Sequence, residues 1–213
     1  MAQEVERRYR VAEPTLTVER LAHHGVTVHR SSRIIDRWFM PRYVRSLTEE
    51  EQWFDVEHGL AYRIRKTQHN DGDFDTLLDS KQHTEANDHN TFHEEVVMRG
   101  DESEMLKFLE GKEYYNWLTI DKRRTYFEGA SDSLAITMDT IDGVKQALGV
   151  DTVLEVEYSG DGSRDDALRT IDDFATTIGL RREDLFEKSL TVESMRVLAD
   201  FSQDQQSIFR SKA

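Results

Sequence analysis

Alternation of apolar and polar residues predicts β-strands along most of this chain. In the first such stretch, Glu4–Val11, the residues Val5, Tyr9 and Val11 fall on one face and charged residues fall on the other. Similar patterns predict further strands at Thr27–Arg30 with Ser32–Phe39, Leu60–Thr67, Asp75–His83, Thr91–Arg99, Trp117–Phe127, Leu134–Thr140 and Val153–Tyr158. The chain is therefore expected to contain about eight strands.

Apolar residues three and four apart predict helices between some of these strands. The longest helix is predicted from about Arg164 to Ile178, where Leu168, Ile171 and Phe174 share one stripe and Gly179 follows. Shorter helices are predicted after Pro14, at Glu102–Leu109, at Asp142–Leu148, and in a C-terminal tail from about residue 192.

Many strands with few helices favour an α+β protein built on an antiparallel sheet. Such a sheet can close into a barrel, which removes its exposed edges, but the strand pattern alone does not show closure. The sequence has only two prolines, and no stretch of it reads as a flexible linker or an internal repeat. We therefore expect residues 1–213 to form a single domain.

Composition narrows the classes of partner and chemistry. The net charge is −14, with acids spread along the chain, which argues against non-specific binding to nucleic acid or to an anionic membrane. The chain has no cysteine, which excludes disulfides, thiolate metal sites and a thiol nucleophile. No segment approaches the roughly 18 apolar residues of a membrane span, so a soluble, cytoplasmic protein is expected.

Acids and bases segregate between the predicted strands. Glu4 and Glu6 share a face of the first strand, and Glu155 and Glu157 share a face of the last one. Basic residues occupy single faces of other strands, at Arg63 with Arg65, at Lys81, and at Lys122 with Arg124. One such pair is most simply a solvated face of a half-buried sheet. Together they indicate a site, because paired carboxylates repel unless a cation lies between them.

A hard divalent cation is the natural partner for these carboxylates. Mg²⁺ is usually bound by one or two carboxylates, with water and substrate phosphates in its remaining positions. Arginine and lysine on neighbouring strands would hold phosphate oxygens through charge-assisted hydrogen bonds. A site with both signs of charge suits a polyanionic ligand that also carries metal, such as a triphosphate.

These residues resemble those of a known family. Glu4-x-Glu6-x-Arg8 is similar to the Glu-x-Glu-x-Lys signature of the CYTH proteins, or triphosphate tunnel metalloenzymes, which include thiamine triphosphatases, inorganic triphosphatases and class IV adenylyl cyclases. Later features follow in the family's order, at Tyr62-Arg63-Ile64-Arg65, Lys81, Glu94-Glu95, Asp121-Lys122-Arg123-Arg124, Asp139 and Leu154-Glu155-Val156-Glu157. The sequence departs from the family at Arg8, which keeps the charge of the signature lysine but changes its donor geometry.

The resemblance implies a fold and a set of site residues. The fold is an antiparallel β-barrel of about eight strands that forms a tunnel, with flanking helices. The resemblance assigns Mg²⁺ or Mn²⁺ binding to Glu4, Glu6, Asp139, Glu155 and Glu157, with Glu4, Glu6 and Glu157 as catalytic residues. It assigns triphosphate binding to Arg8, Arg63, Arg65, Lys81, Lys122 and Arg124. Either Glu94 or Glu95 would face the tunnel, because a strand allows only one of them.

Three functions are compatible with such a site. The first is metal-dependent hydrolysis of inorganic, nucleoside or thiamine triphosphate. The second is a class IV adenylyl cyclase, which would make cyclic AMP and pyrophosphate from ATP. The third is a non-catalytic module that binds a polyphosphate or nucleotide, although such a module gains little from four carboxylates. The expected partner is a small-molecule triphosphate, and no binding to nucleic acid or to a membrane is expected. The sequence is compatible with a homodimer.

Overall fold

The computed structural model describes residues 3–44, 60–69, 72–83 and 91–187. The described residues form the strands β1 (Gln3–Arg10), β2 (Thr27–Pro41), β3 (Leu60–Gln68), β4 (Phe74–His83), β5 (Thr91–Arg99), β6 (Tyr114–Glu128), β7 (Leu134–Ile141) and β8 (Thr152–Tyr158). They also form the helices α1 (Pro14–His23), α2 (Glu102–Gly111), α3 (Lys145–Leu148) and α4 (Arg164–Thr177), and a 3₁₀ turn at Arg182–Asp184. The predicted helical tail from about residue 192 lies outside the described residues.

The strands form a closed antiparallel barrel in the order β1-β5-β4-β3-β2-β6-β7-β8. Strand β1 pairs with β8 along most of its length, from Val5 opposite Tyr158 to Arg10 opposite Val153. The start of β1 also pairs with β5, where Gln3 lies opposite His93, and this second pairing closes the sheet on itself. The predicted α+β class and the antiparallel barrel are therefore confirmed.

The observed β2 and α3 differ in extent from the predicted elements. The two strand segments predicted after α1 are one 15-residue strand, β2, with a register irregularity between Val28 and Arg30. The helix predicted at Asp142–Leu148 is reduced to α3, because Gly143 has φ of 81°, outside the helical region. None of the described helices is long and apolar enough to cross a membrane.

The outer face of the barrel is packed under helices. Outward residues of β1 and β8, including Tyr9 and Leu154, form a cluster with Ile171 and Ala175 of α4. On another side, Ile64 of β3 and Leu78 of β4 pack with Met105 and Leu109 of α2. Because side chains alternate along a strand, burying these apolar residues outside turns their neighbours towards the barrel interior.

One end of the barrel interior is filled with apolar side chains. Inward residues of β2, β6, β7 and β8 form this plug with Phe186, and they include Trp38, Leu118, Ile120, Ile141 and Val153. After α4 the chain returns to β1, where the Phe186 backbone N–H donates to the Arg8 carbonyl at 2.9 Å. The Arg10 guanidinium lies 4.1 Å from the centre of the Phe186 ring. The charged inward-facing residues therefore lie in the middle of the barrel and towards the end opposite the plug.

Candidate functional site

The predicted basic residues are buried inside the barrel. Arg63, Lys122 and Arg124 are only 4%, 5% and 8% exposed. Their position follows from strand alternation, because the intervening residues Tyr62 and Ile64 of β3 pack against α2. Charges at this depth require partners of opposite sign.

On one side of the barrel, β3, β4 and β5 contribute linked ion pairs. The Arg63 guanidinium makes a forked contact with Asp79, with Nη2 2.6 Å from Oδ2, and also reaches Glu94 at 3.1 Å. The Lys81 Nζ atom lies 3.2 Å from Glu94 and 3.7 Å from Glu6 of β1. This side is thereby joined to the strand that carries the Glu-x-Glu motif.

Arg8 lies between two carboxylates at the seam of β1 and β8. Its guanidinium contacts Glu6 on its own strand, and its Nε atom donates to Glu155 Oε2 at 2.9 Å. The other Glu155 oxygen accepts from Arg124 at 3.2 Å. Arg124 in turn makes a forked contact with Asp139, with both distances at 2.7 Å.

The contacts continue to β2 and return to β3. Lys122 Nζ lies 2.7 Å from Asp139 and 3.5 Å from Asp36, and Arg65 makes a forked contact with Asp36 at 2.7 and 2.9 Å. In order of contact, acids and bases alternate through Asp79, Arg63, Glu94, Lys81, Glu6, Arg8, Glu155, Arg124, Asp139, Lys122, Asp36 and Arg65. We call these residues the charge network; the opposite charges within it are equal in number.

Pairing keeps most carboxylates of the network ionised. Burial by itself would raise the pKa of Asp36, but Arg65 and Lys122 outweigh it and hold that pKa well below its usual value. Burial is likewise outweighed at Glu94, where Arg63 and Lys81 lower the pKa to about 2. Asp79 differs, because burial and the nearby Glu94 carboxylate raise its pKa despite the contact with Arg63.

The structure brings together most of the predicted site residues. The charge network contains Glu6, Arg8, Arg63, Arg65, Lys81, Lys122, Arg124, Asp139 and Glu155. Glu157 lies on the same face of β8 as Glu155 and directly opposite Glu6 in the pairing of β1 and β8. Glu4 is a residue of β1 paired with Phe92, and its side chain is outside the described part of the structure.

Three further acids belong to the network. Asp79 lies on the same face of β4 as Lys81, but the sequence analysis does not assign it to the site, and it leaves open the choice between Glu94 and Glu95. Glu94 faces inward, whereas Glu95 is exposed. Asp36 was missed, although a signal exists: it lies between Ile34 and Trp38 on the buried face of β2, where a lone acid requires a buried base.

The carboxylates at the β1–β8 seam suit a hard divalent cation. Among the described residues, no group of three or more acids or histidines is arranged to hold a metal. Mg²⁺ does not require such a group, because it is commonly bound by one or two carboxylates together with substrate phosphates. Glu6 and Glu157 lie directly opposite each other, and carboxylate oxygens are the ligands that Mg²⁺ takes, while Arg8 and Lys81 also offset the charge of Glu6. The residues present therefore fit Mg²⁺ or Mn²⁺.

Comparison with known proteins identifies the fold. The sequence matches no family model and no curated protein. Among solved structures, the PH1819 protein from Pyrococcus horikoshii matches with a TM-score of 0.70 and 15% identity over 91% of this chain and 98% of that one. The two proteins share one fold. The barrel expected from the CYTH resemblance is thereby supported from an independent direction.

Two other solved structures with this fold have been linked to nucleotide chemistry. A proposed adenylate cyclase from Vibrio parahaemolyticus matches with a TM-score of 0.66 and 18% identity, covering 91% of this chain and 98% of that one. HpAC1 from Hippeastrum, a proposed adenylyl cyclase with a dominant triphosphatase activity, matches with a TM-score of 0.55 and 14% identity over 100% of this chain and 96% of that one. At these identities the likeness establishes the fold alone.

Proposed function

We propose that this chain is a CYTH-type enzyme that hydrolyses a triphosphate bound inside the barrel with Mg²⁺ or Mn²⁺. The observation that carries the proposal is the charge network, which lines a closed barrel and alternates acids with bases. Few ligands suit an interior with so many buried groups of both signs. A metal-bound triphosphate does, because its phosphate oxygens match the bases and its metal matches the acids.

The charge balance of the interior supports a metal-bound ligand over a free anion. Acids and bases are equal in number within the charge network, and Glu157 adds a further carboxylate on the same face of β8. The described part of the interior therefore has no surplus of positive charge, and a free triphosphate, which carries several negative charges, would gain no net attraction there. Divalent cations that enter with it would offset the repulsion.

The bases would act on the phosphates. Arg63, Arg65 and Arg124 present forked guanidinium groups, which match pairs of phosphate oxygens as well as they match the carboxylates they now contact. These groups would stabilise the negative charge that develops on the phosphoryl oxygens during the reaction. The apolar plug would keep water out of one end of the site and so strengthen this effect.

The carboxylates at the seam would hold the metal and orient water. Glu6, Glu155 and Glu157 would supply the ligands together with Glu4 of the Glu-x-Glu motif, and Asp139 would assist directly or through water. A bound divalent metal would neutralise charge on the phosphate oxygens. A carboxylate oxygen of Glu6 or Glu157 would accept a hydrogen bond from the attacking water and so orient it towards phosphorus.

Cyclisation of ATP is the second candidate, and it is favoured by the fold shared with the proposed cyclase from Vibrio parahaemolyticus. In that reaction the 3′-hydroxyl of ATP attacks the α-phosphorus and pyrophosphate leaves. The same phosphate contacts would serve both reactions, so the products distinguish them.

A non-catalytic binding module is the third candidate, and it predicts binding without turnover. Cytoplasmic location and a homodimer stay predictions.

A turnover assay tests the proposal. Purified protein is given inorganic triphosphate, ATP or thiamine triphosphate, each with Mg²⁺ or Mn²⁺, and phosphate, pyrophosphate and cyclic nucleotide are measured. We expect metal-dependent release of phosphate from at least one substrate, and loss of at least about 100-fold in the double variant Glu4→Gln, Glu6→Gln, with its circular dichroism unchanged. Cyclic AMP with pyrophosphate would establish the cyclase instead. Full activity in the double variant would contradict the metal assignment.

A further inference from the structure

Thr137 faces the barrel interior beside the charge network. Its neighbours in β7, Ile136 and Met138, pack outward in the cluster that includes α4, so Thr137 and Asp139 point inward. Across the sheet Thr137 lies opposite Tyr126 of β6 on one side and opposite Glu155 of β8 on the other.

The hydroxyl of Thr137 is buried without a hydrogen-bond partner in the described structure. Its Oγ1 atom is shielded from solvent and bonds to no group among the described residues. Glu155, which lies opposite Thr137, accepts from Arg8 with one oxygen and from Arg124 with the other, and no hydrogen bond joins it to Thr137. Most buried polar side chains have a partner, so this one needs a reason.

The strand itself does not require the hydroxyl. Valine has the same shape and a comparable preference for strands, and in that place it would leave no polar atom unsatisfied. A buried hydroxyl without a partner therefore costs stability in the ligand-free protein. A cost of this kind is offset when a ligand supplies the missing partner.

The surroundings indicate the chemistry of that partner. In the pairing of β6 and β7, Arg124 lies opposite Asp139, the next inward residue of β7 after Thr137. An oxygen held by the Arg124 guanidinium would therefore lie near the Thr137 hydroxyl. Phosphate oxygens are acceptors only, and a hydroxyl can donate to one without adding charge to a balanced interior.

We propose that Thr137 is a substrate-binding residue whose hydroxyl donates a hydrogen bond to a phosphate oxygen of the triphosphate that Arg124 binds. This inference rests on the proposed function and adds to it a neutral donor outside the charged motifs. It also implies that the hydroxyl lowers the stability of the ligand-free protein and raises its affinity for triphosphate.

The variants Thr137→Val and Thr137→Ser test the proposal, with Thr125→Val as the matched control. Thr125 is on the outer face of β6, where its hydroxyl pairs with Ser31 at 3.2 Å. Affinity for inorganic triphosphate and for ATP, each with Mn²⁺, is measured by calorimetry, and ligand-free thermal unfolding is measured in parallel. We expect Thr137→Val to bind about tenfold more weakly and yet to unfold at a higher temperature. Thr137→Ser and Thr125→Val should bind within about threefold of the wild type.

The outcomes separate this inference from the proposed function. If the wild type binds triphosphate and Thr137→Val binds it as tightly, the inference is wrong and the proposed function stands. If Thr137→Val unfolds at a lower temperature without ligand, the hydroxyl already has a partner in the ligand-free protein and the inference is wrong. If the wild type binds neither triphosphate, the proposed function fails and the inference fails with it.

Discussion

At the scale of single residues, Arg8 shows how the interior balances its charges. Its guanidinium contacts Glu6 and Glu155 together, which a lysine ammonium could not do with the same forked geometry. It thereby places one cation between carboxylates of two neighbouring strands. The signature of the CYTH proteins has lysine at this position. Arginine has the same charge, but its longer, forked group reaches carboxylates on both strands.

Arg124 is the residue whose loss should most directly weaken triphosphate binding. It contacts both Asp139 and Glu155 and is 8% exposed, so it can bind a phosphate without being screened by water. We expect Arg124→Ala to lower affinity for the triphosphate at least about tenfold in calorimetry. The control is Arg123→Ala, which removes the exposed arginine next to it and should leave affinity unchanged. Equal affinity in both variants would show that Arg124 does not contact the ligand.

Glu94 should make stability depend on pH in a defined range. Its pKa is lowered from 4.5 to about 2, so the ionised carboxylate stabilises the fold fully above about pH 4.5, and this contribution is lost as pH falls towards 2. We expect Glu94→Gln to lower the free energy of unfolding by roughly 2 kcal/mol at pH 7, with a smaller difference from wild type below pH 4.5. Urea unfolding across this range checks it.

Glu95→Gln is the control for Glu94→Gln, because Glu95 is the exposed neighbour on the same strand. It should change the free energy of unfolding by less than about 0.5 kcal/mol at every pH. A difference between Glu94→Gln and wild type that stays constant with pH would contradict the assigned ion pairs.

At the scale of elements, one face of a strand packs in the apolar core under the helices, and the other face carries side chains of the charge network. In β3, Ile64 packs under α2 while Arg63 and Arg65 enter the charge network. A shift of register by one residue would exchange these faces and bury the bases in the apolar cluster. Packing under the helices therefore fixes which side chains line the interior.

The turn between β6 and β7 offers a test of how closely the elements pack. Gly129 has φ of +93°, and a Cβ atom built there would lie 2.2 Å from the Gly25 carbonyl oxygen, just after α1. Gly72 has a similar φ of +91° with nothing within 4 Å. We expect Gly72→Ala to cost about 1 kcal/mol from backbone strain and Gly129→Ala roughly 3 kcal/mol, because the clash adds to the strain. If both variants lose the same free energy of unfolding in chemical denaturation, the turn at Gly129 moves away from Gly25 without further cost.

At the scale of the whole molecule, charge limits which ligands the barrel can accept. The chain carries a net charge of −14, and its charge network has no surplus of bases. A free polyanion is therefore repelled at long range and gains no net attraction inside. The molecule suits a ligand that enters with cations.

Removal of divalent metal should accordingly abolish binding as well as turnover. We expect inorganic triphosphate to bind at least about 100-fold more weakly after treatment with EDTA, and Mg²⁺ or Mn²⁺ to restore it. Calorimetry with metal-free protein measures this. Added potassium chloride of equal ionic strength is the control, because it screens charge without supplying a divalent ion. Equal affinity with and without metal would contradict the charge argument.

Much of the charge network could be predicted because the alternation of side chains along a strand depends only on local sequence. Glu6 with Arg8, Arg63 with Arg65, and Lys122 with Arg124 each share a face by spacing alone, and each pair lies in the charge network. Partners across the sheet were harder to predict. Asp36 was missed, and Glu94 could not be distinguished from Glu95, since a register between distant strands decides which acid meets which base.

The sequence by itself determined the strands and the faces on which charges lie, because these depend on neighbours a few residues apart, and the order of its motifs carried the resemblance that implied a barrel. The tertiary structure alone decided closure through β1, the apolar plug completed by Phe186, and the equal numbers of acids and bases in the charge network. Each of these depends on contacts between strands far apart in the chain. Such contacts form only when the whole barrel buries its outer apolar faces under the helices.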